Sequence, residues 1–186
     1  MKKIGVIVGS VRPNNVCSEI SKWALNEFST AVDTDSVKFE TVDLGEINLP
    51  LYNEPFSPAQ GKPRVHDHTV AWATLINDYD GLVFLLPEYN GSYTAAVKNA
   101  IDYLSAEWKE KPVSYIAYSW SSGQSVAAEF TKLAKRMGMN LLPAFANLKL
   151  SPENFNADGS AATVTADSYA AEKQDVQDIA KAFAAL

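Results

Sequence analysis

Residues 81–104 read GLVFLLPEYNGSYTAAVKNAIDYL, and the changes of pattern within them decide the architecture. Residues 81–86 are apolar on both faces, as a strand in the middle of a parallel sheet must be. The run stops at Pro87. Glu88, Tyr89, Asn90, Gly91 and Ser92 follow, and a helical pattern then covers about 93–106. A buried strand leading into a helix is half of a β-α-β unit. A plain connection would need only a turn. A loop that carries a carboxylate, a phenol and an amide is composed to meet something.

The same alternation extends in both directions. Upstream, KIGVIV at 3–8 is a second both-face strand ending at Gly9. Residues 15–30 read as a helix with Val16, Ile20, Trp23, Ala24 and Phe28 on one stripe. VKFETVD at 37–43 alternates like a more exposed strand. A long segment rich in Pro and Gly follows, and Pro63 is expected to open a helix reaching Tyr79. Downstream, VSYIAY at 113–118 is a strand and 125–137 a helix stopped by Gly138. Residues 141–150 hold the last strand, with Pro143 near its start or at a bulge. Residues 151–166 read as a surface loop and 167–186 as a closing Ala-rich helix.

Strands that alternate with helices build a parallel sheet covered on both faces. The expected fold is α/β, a flavodoxin-like three-layer sandwich with a five-stranded parallel sheet of order 2-1-3-4-5. Without a repeat or a linker, residues 1–186 read as one domain. Such sheets bind ligands beyond the carboxyl ends of their strands. Three loops emerge there, at 9–18, 87–93 and 119–124, and all three are unusual in composition.

Composition narrows the function. Acids outnumber bases 22 to 16, for a formal charge of −6, which argues against nucleic acid as a partner. No apolar run has the length of a membrane span. The chain enters a strand pattern at Met1-Lys2-Lys3-Ile4, leaving no room for a signal peptide. Cys17 is the only cysteine, so no disulfide forms within the chain. A cytoplasmic enzyme or binding protein is expected.

The first loop, GSVRPNNVCSEI from Gly9, precedes a helix whose N-terminus offers free N–H groups and partial positive charge. Ser10 adds a hydroxyl, Asn15 an amide and Arg12 a full charge in a planar fork, a set suited to phosphate. The loop lacks the Gly-Lys-Ser/Thr of a P-loop and the Gly-x-Gly-x-x-Gly of a dinucleotide site. Taken alone it reads equally well as a tight turn with an Asn cap and a solvated arginine. Cys17 reads as a packing residue. His66-x-His68 has no further metal ligand at a useful spacing, so no metal site is expected.

GSVRPNN after the first strand and PEYNGSYTAAVKNAIDYL after the third resemble the NADPH-dependent FMN reductase family, which includes flavin-dependent quinone, azo-dye and chromate reductases. The likeness runs from about Ile4 to Leu150. It implies that Ser10, Arg12, Asn15 and the backbone around Val16 and Cys17 hold the FMN phosphate. It implies that Pro87, Glu88, Tyr89 and Asn90 line the isoalloxazine and ribityl chain. Ser119, Trp120, Ser122 and Gly123 would border the pyrimidine side. Ser119-Trp120 stands where a Gly-Gly pair is common, and Thr94 where Pro is frequent.

The implied activity is hydride transfer from NADPH or NADH through bound FMN to a flavin, quinone or similar small acceptor. A stacking face serves such chemistry better than a protein nucleophile, so no catalytic residue is named. The family's habit implies a homodimer or homotetramer. A flavodoxin-type electron carrier served by a protein partner is the alternative, and a cofactor-free scaffold a third reading.

Overall fold

In the computed structural model, which describes residues 1–165 and 167–186, the apolar runs become strands of one parallel sheet. They are β1 (Lys2–Val8), β2 (Val37–Asp43), β3 (Gly81–Pro87), β4 (Pro112–Ser119), β5 (Asn140–Leu141) and β6 (Ala146–Lys149). The order is β2-β1-β3-β4-β5, with β6 also on β4. This is the expected 2-1-3-4-5 arrangement, with its fifth strand broken in two. β5 pairs with Pro112 and Val113, and β6 with residues 116–119 of the same strand. Proline has no N–H to give a ladder, and Pro143 lies in the gap. The gap is bridged otherwise. The N–H of Leu142 donates to the Val113 carbonyl at 2.8 Å, and buried Ser114 Oγ donates to the Ala144 carbonyl at 2.6 Å.

The helices are α1 (Val16–Ala31), the single turn α2 (Leu44–Ile47), α3 (Asp67–Asn77), α4 (Ala95–Asp102), α5 (Gln124–Met137) and α6 (Lys173–Ala184). The strands alternate between two cores. Leu82, Phe84 and Leu86 of β3 pack with Trp72, Ile101 and Phe130 from α3, α4 and α5. Val83 and Leu85 pack with Ile20, Phe28, Ile179 and Phe183 from α1 and α6. All seven β3 residues are buried, and a fully buried Leu or Phe side chain contributes about 1.5–3 kcal/mol. That is why this strand reads so plainly and sits in the middle.

Four expectations need correction. The helix placed from Pro63 begins at Asp67, because Glu54 reaches in from the long loop. Its carboxylate accepts the N–H groups of Val65 at 3.0 Å and His66 at 3.2 Å, so these residues stay extended. The helix drawn to 106 ends at Asp102. Trp108 beyond it is fully buried, and its Nε1 donates to the Ile101 carbonyl at 2.9 Å. The closing helix starts at Lys173, since Tyr169 is buried against Trp23 with ring centroids 5.3 Å apart. Of the expected loop 151–166, Ala166 lies outside the described residues, Pro152–Asn154 forms a 3-10 turn, and Phe155 and Ala161 pair across a small hairpin.

The long loop after α2 is pinned to α4. Asn99 Nδ2 donates to the Pro50 carbonyl at 2.7 Å, and Asn99 Oδ1 accepts the Tyr52 N–H at 2.9 Å. Tyr52 and Phe56 are therefore loop anchors. They line a cavity of about 240 Å³ together with Tyr103, apart from the three loops of interest. His66 and His68 stack at 5.0 Å beside Asn53, and among the described residues no group of three or more His, Cys, Asp or Glu could hold a metal.

Candidate cofactor site

The strand register brings the three loops to one rim. Val8 lies level with Leu85 across the β1–β3 pair, Pro87 with Tyr118, and Ser119 with Lys149. Beyond these ends a cavity of about 160 Å³ is lined by Ser10, Arg12, Asn15 and Val16 from the first loop. Pro87, Glu88 and Tyr89 come from the second, and Ser119 and Trp120 from the third. Nine of the thirteen expected residues thus share one cavity. Cys17, Asn90, Ser122 and Gly123 lie outside its lining.

At Gly9 the chain leaves the sheet so tightly that a Cβ there would lie 2.3 Å from the Leu85 carbonyl oxygen. Asn15 caps α1, its Oδ1 accepting the Ser18 N–H at 3.0 Å while its Nδ2 donates to the Arg12 carbonyl at 2.7 Å. The backbone N–H groups of Val16 and Cys17 have no partner among the described residues. Arg12 is exposed and, among the described residues, forms no ion pair. Unpartnered donors, a helix N-terminus and a free guanidinium are the groups that binding an anion requires.

Beneath this loop Cys17 is fully buried, and burial pushes its thiol up to about 11 against the opposing hydrogen bond from Tyr118. The thiol is protonated at neutral pH and belongs to the packing. Burial raises the Tyr118 phenol as well.

The second loop turns back on itself. Tyr89 and Ser92 exchange N–H···O bonds of 2.8 and 3.1 Å, and Asn90 and Gly91 between them have φ of 52° and 81°. Two left-handed residues in sequence are what an Asn-Gly type I′ turn requires. The turn puts Asn90 at its tip and leaves Glu88 and Tyr89 at the cavity. Glu88 is tied across to the third loop, its carboxylate accepting the Val126 N–H at 3.3 Å in the first turn of α5. Thr94 caps α4 through the Val97 N–H at 3.1 Å and donates to the Gly9 carbonyl at 2.6 Å, locking the first loop to the second.

The third loop is wound around Ser119. Its Oγ accepts the N–H groups of Ser121 at 3.0 Å and Gly123 at 2.8 Å. Ser122 and Gly123 both have left-handed φ, and a Cβ on Gly123 would lie 2.6 Å from the Tyr118 nitrogen. Trp120 projects from this loop, more than half exposed, and stacks on Phe155.

Asn14, Tyr118, Leu150, Phe155 and Gly159 also line the cavity and were not expected there. Asn14 and Tyr118 adjoin expected residues and needed only the loop's curvature. Phe155 and Gly159 come from the segment read as a surface loop. The signal available was the Asp158-Gly159 pair, a hairpin turn signature, set near a lone aromatic.

A cavity with anion-suited donors at the point where strand order reverses, flanked by aromatic and hydrogen-bonding loops, is the arrangement of a nucleotide-cofactor protein of the flavodoxin-like class. Residues 2–151 match the family described as NADPH-dependent FMN reductase. The chain is 35% identical over 147 residues to an NAD(P)H-dependent FMN reductase of Nectria sp, covering 77% of this chain and 73% of that one. It is 36% identical over 149 residues to another from Schizosaccharomyces pombe, covering 80% and 73%. In three dimensions it resembles FerB, a flavoenzyme NAD(P)H:(acceptor) oxidoreductase from Paracoccus denitrificans. That TM-score is 0.73 at 23% identity, over 100% of this chain and 96% of that one. The chain belongs to the NADPH-dependent FMN reductase family, and with it to the oxidoreductases that work with FMN and NAD(P)H.

The residues present fit FMN. Its phosphate needs N–H donors and a cation, which the first loop holds unpaired. Its ring needs a flat apolar surface with polar edges, and Pro87, Tyr89 and Trp120 line the cavity together with Ser119. No helix is long and apolar enough to cross a membrane among the described residues.

Proposed function

We propose that the chain, as one domain over 1–186, oxidises NAD(P)H and passes the reducing equivalents to a small flat acceptor such as a quinone or a flavin. The observation that carries this reading is the meeting of three loops, from β1, β3 and β4, around one cavity at the carboxyl rim of the sheet. When bound there, FMN supplies the hydride and electron chemistry.

The protein's part is placement. The N–H groups of Val16 and Cys17 with Arg12 and Ser10 would anchor the phosphate. Pro87, Glu88, Tyr89 and Asn90 would flank the ring and ribityl chain. Ser119, Trp120, Ser122 and Gly123 would border the pyrimidine edge, where loop N–H groups stabilise negative charge on a reduced ring. Asn15 supports this by holding the first loop in shape, and one N–H of its amide remains for a ligand. No side chain is assigned a proton-transfer role.

A quinone substrate is supported by a relative named 2-hydroxy-1,4-benzoquinone reductase, 33% identical over 138 residues. A homodimer or homotetramer in the cytoplasm accords with an exposed rim and the lone cysteine. The test is an absorbance spectrum of the purified protein with FMN, before and after anaerobic NADPH. A yellow protein whose visible band bleaches supports the reading. A yellow protein that leaves NADPH and NADH untouched would point to an electron carrier, and a colourless one that ignores FMN would end both.

A further inference from the structure

α5 begins at Gln124, behind Gly123, and that glycine has no side chain with which to cap the helix. Nor could another residue supply one there. The φ at Gly123 is 61°, and a Cβ would lie 2.6 Å from the Tyr118 nitrogen. The first turn of α5 holds no acidic residue either. A helix start so bare leaves its N–H groups and partial positive charge unanswered. Here the answer comes from another loop. The Glu88 carboxylate accepts the Val126 N–H at 3.3 Å, across 38 positions of chain. The backbone holds Glu88 in place for this contact. Its own N–H donates to the Tyr118 carbonyl at 3.1 Å, and the tight turn from Tyr89 to Ser92 starts at the next residue.

Glu88 also lines the cofactor cavity. Among the described residues it is the only acid that does so, and Arg12 is the only base. Glu88 forms no ion pair among the described residues. On the reading above, Arg12 meets the FMN phosphate. Glu88 is then the one charge of the cavity wall without a counter-charge, and its chain neighbours Pro87 and Tyr89 are the residues that flank the ring.

We propose that Glu88 is a positioning residue that caps α5 from outside, docking the third loop on the second, and that its charge weakens the site's hold on reduced FMN relative to oxidised FMN. The proposal rests on the oxidoreductase reading above. The sign follows from charge. A hydride from NAD(P)H carries two electrons and one proton, NAD(P)+ leaves, and the ring gains one negative charge. A carboxylate beside the ring repels that charge. It also offsets the positive helix end that would otherwise stabilise it. Two unit charges within about 10 Å near a protein surface shift an equilibrium by about tenfold. The bound cofactor is thereby a stronger reductant, which suits onward transfer to a small acceptor.

The test measures the two-electron midpoint potential of bound FMN, by anaerobic reduction against a reference dye. Glu88→Gln keeps an oxygen for the Val126 N–H and removes the charge. It should tighten reduced FMN relative to oxidised FMN by about tenfold, read as a rise of about 30 mV. Glu88→Asp keeps the charge and should leave the potential near that of wild type. A merely structural role would not move the potential in Glu88→Gln. The cap is read separately, from thermal melts of the FMN-free protein. Glu88→Ala should lower Tm by about 2–4 °C, the effect of losing one helix cap, and Glu88→Gln by less. Should Glu88→Ala not fold, Glu88→Met keeps the length of the side chain and carries the same expected fall. A potential that stays put or drops in Glu88→Gln, or a Tm unmoved by loss of the carboxylate, overturns the proposal. A wild-type protein that takes up no FMN overturns the functional reading and the charge effect with it, while the melts still decide the cap.

Discussion

Replacing Thr94 with valine keeps the shape of the side chain and removes one hydroxyl, and that hydroxyl has two partners. It accepts the Val97 N–H at the start of α4 and donates to the Gly9 carbonyl at 2.6 Å, in a place where Thr94 is only 4% exposed. Losing the cap costs about 1 kcal/mol. Leaving a buried carbonyl unpaired costs about 1–3 kcal/mol more. Thr94→Val should therefore destabilise by about 2–4 kcal/mol, several times the effect of an ordinary surface change. For a chain of this length that is a fall in Tm of about 4–16 °C. Urea unfolding of the FMN-free protein, followed by circular dichroism, measures it without the linkage that bound cofactor would add. Thr94→Ser keeps both hydrogen bonds and should stay within about 1 kcal/mol of wild type. A valine variant within about 0.5 kcal/mol of wild type would refute the reasoning, because it would mean the Gly9 carbonyl finds another partner at no cost.

Arg12→Ala should raise the Kd for FMN by about 10- to 100-fold, the worth of a charge-assisted phosphate contact, while the FMN-free protein keeps its Tm. Fluorescence titration with FMN decides it, and an unchanged Kd would remove Arg12 from the anion site. Gly123→Ala combines a left-handed φ with a Cβ that meets the Tyr118 nitrogen at 2.6 Å, so it should cost about 2–4 kcal/mol in urea unfolding and loosen FMN. A cost below about 1 kcal/mol would show that the third loop has room to shift. Cys17 keeps its proton in the folded chain up to about pH 11 rather than the ordinary 9.0, because burial disfavours the thiolate. The folded state then binds more protons than the unfolded one between those values, so this contribution is intact below pH 9 and lost as pH rises toward 11. A disulfide reagent at pH 8 should label Cys17 slowly in the native protein and fast in urea, and equal rates would contradict its burial.

Much of the architecture was open to reading because it is written locally. β3 is apolar on both faces, and no position in a sheet but the middle buries both. Gly138 stops α5 with a φ of 74°, as a helix C-terminus favours. The first and second site loops were legible because their residue types are costly where a turn alone is needed. Errors of register at the helix starts had non-local causes. Asp67 begins α3 because Glu54 satisfies the preceding donors from across a loop, a contact that helix periodicity does not encode. The burial of Trp108 is non-local in the same way, since its neighbours include Phe84 of β3 as well as residues of α3 and α4.

The amino-acid order by itself determined the alternation of strand and helix, the parallel sheet that follows from it, and the three rim loops that carry chemistry. Each of these depends on patterns a few residues long, where burial and turn geometry act on neighbours in the chain. Only the tertiary structure decided that the polar segment after residue 150 closes the site, with Phe155 on Trp120 and Ala161 on Asn14. Those contacts join residues 35 and 147 positions apart in the chain. They form because folding brings the strand ends together, and no local pattern pays the entropy of that meeting in advance.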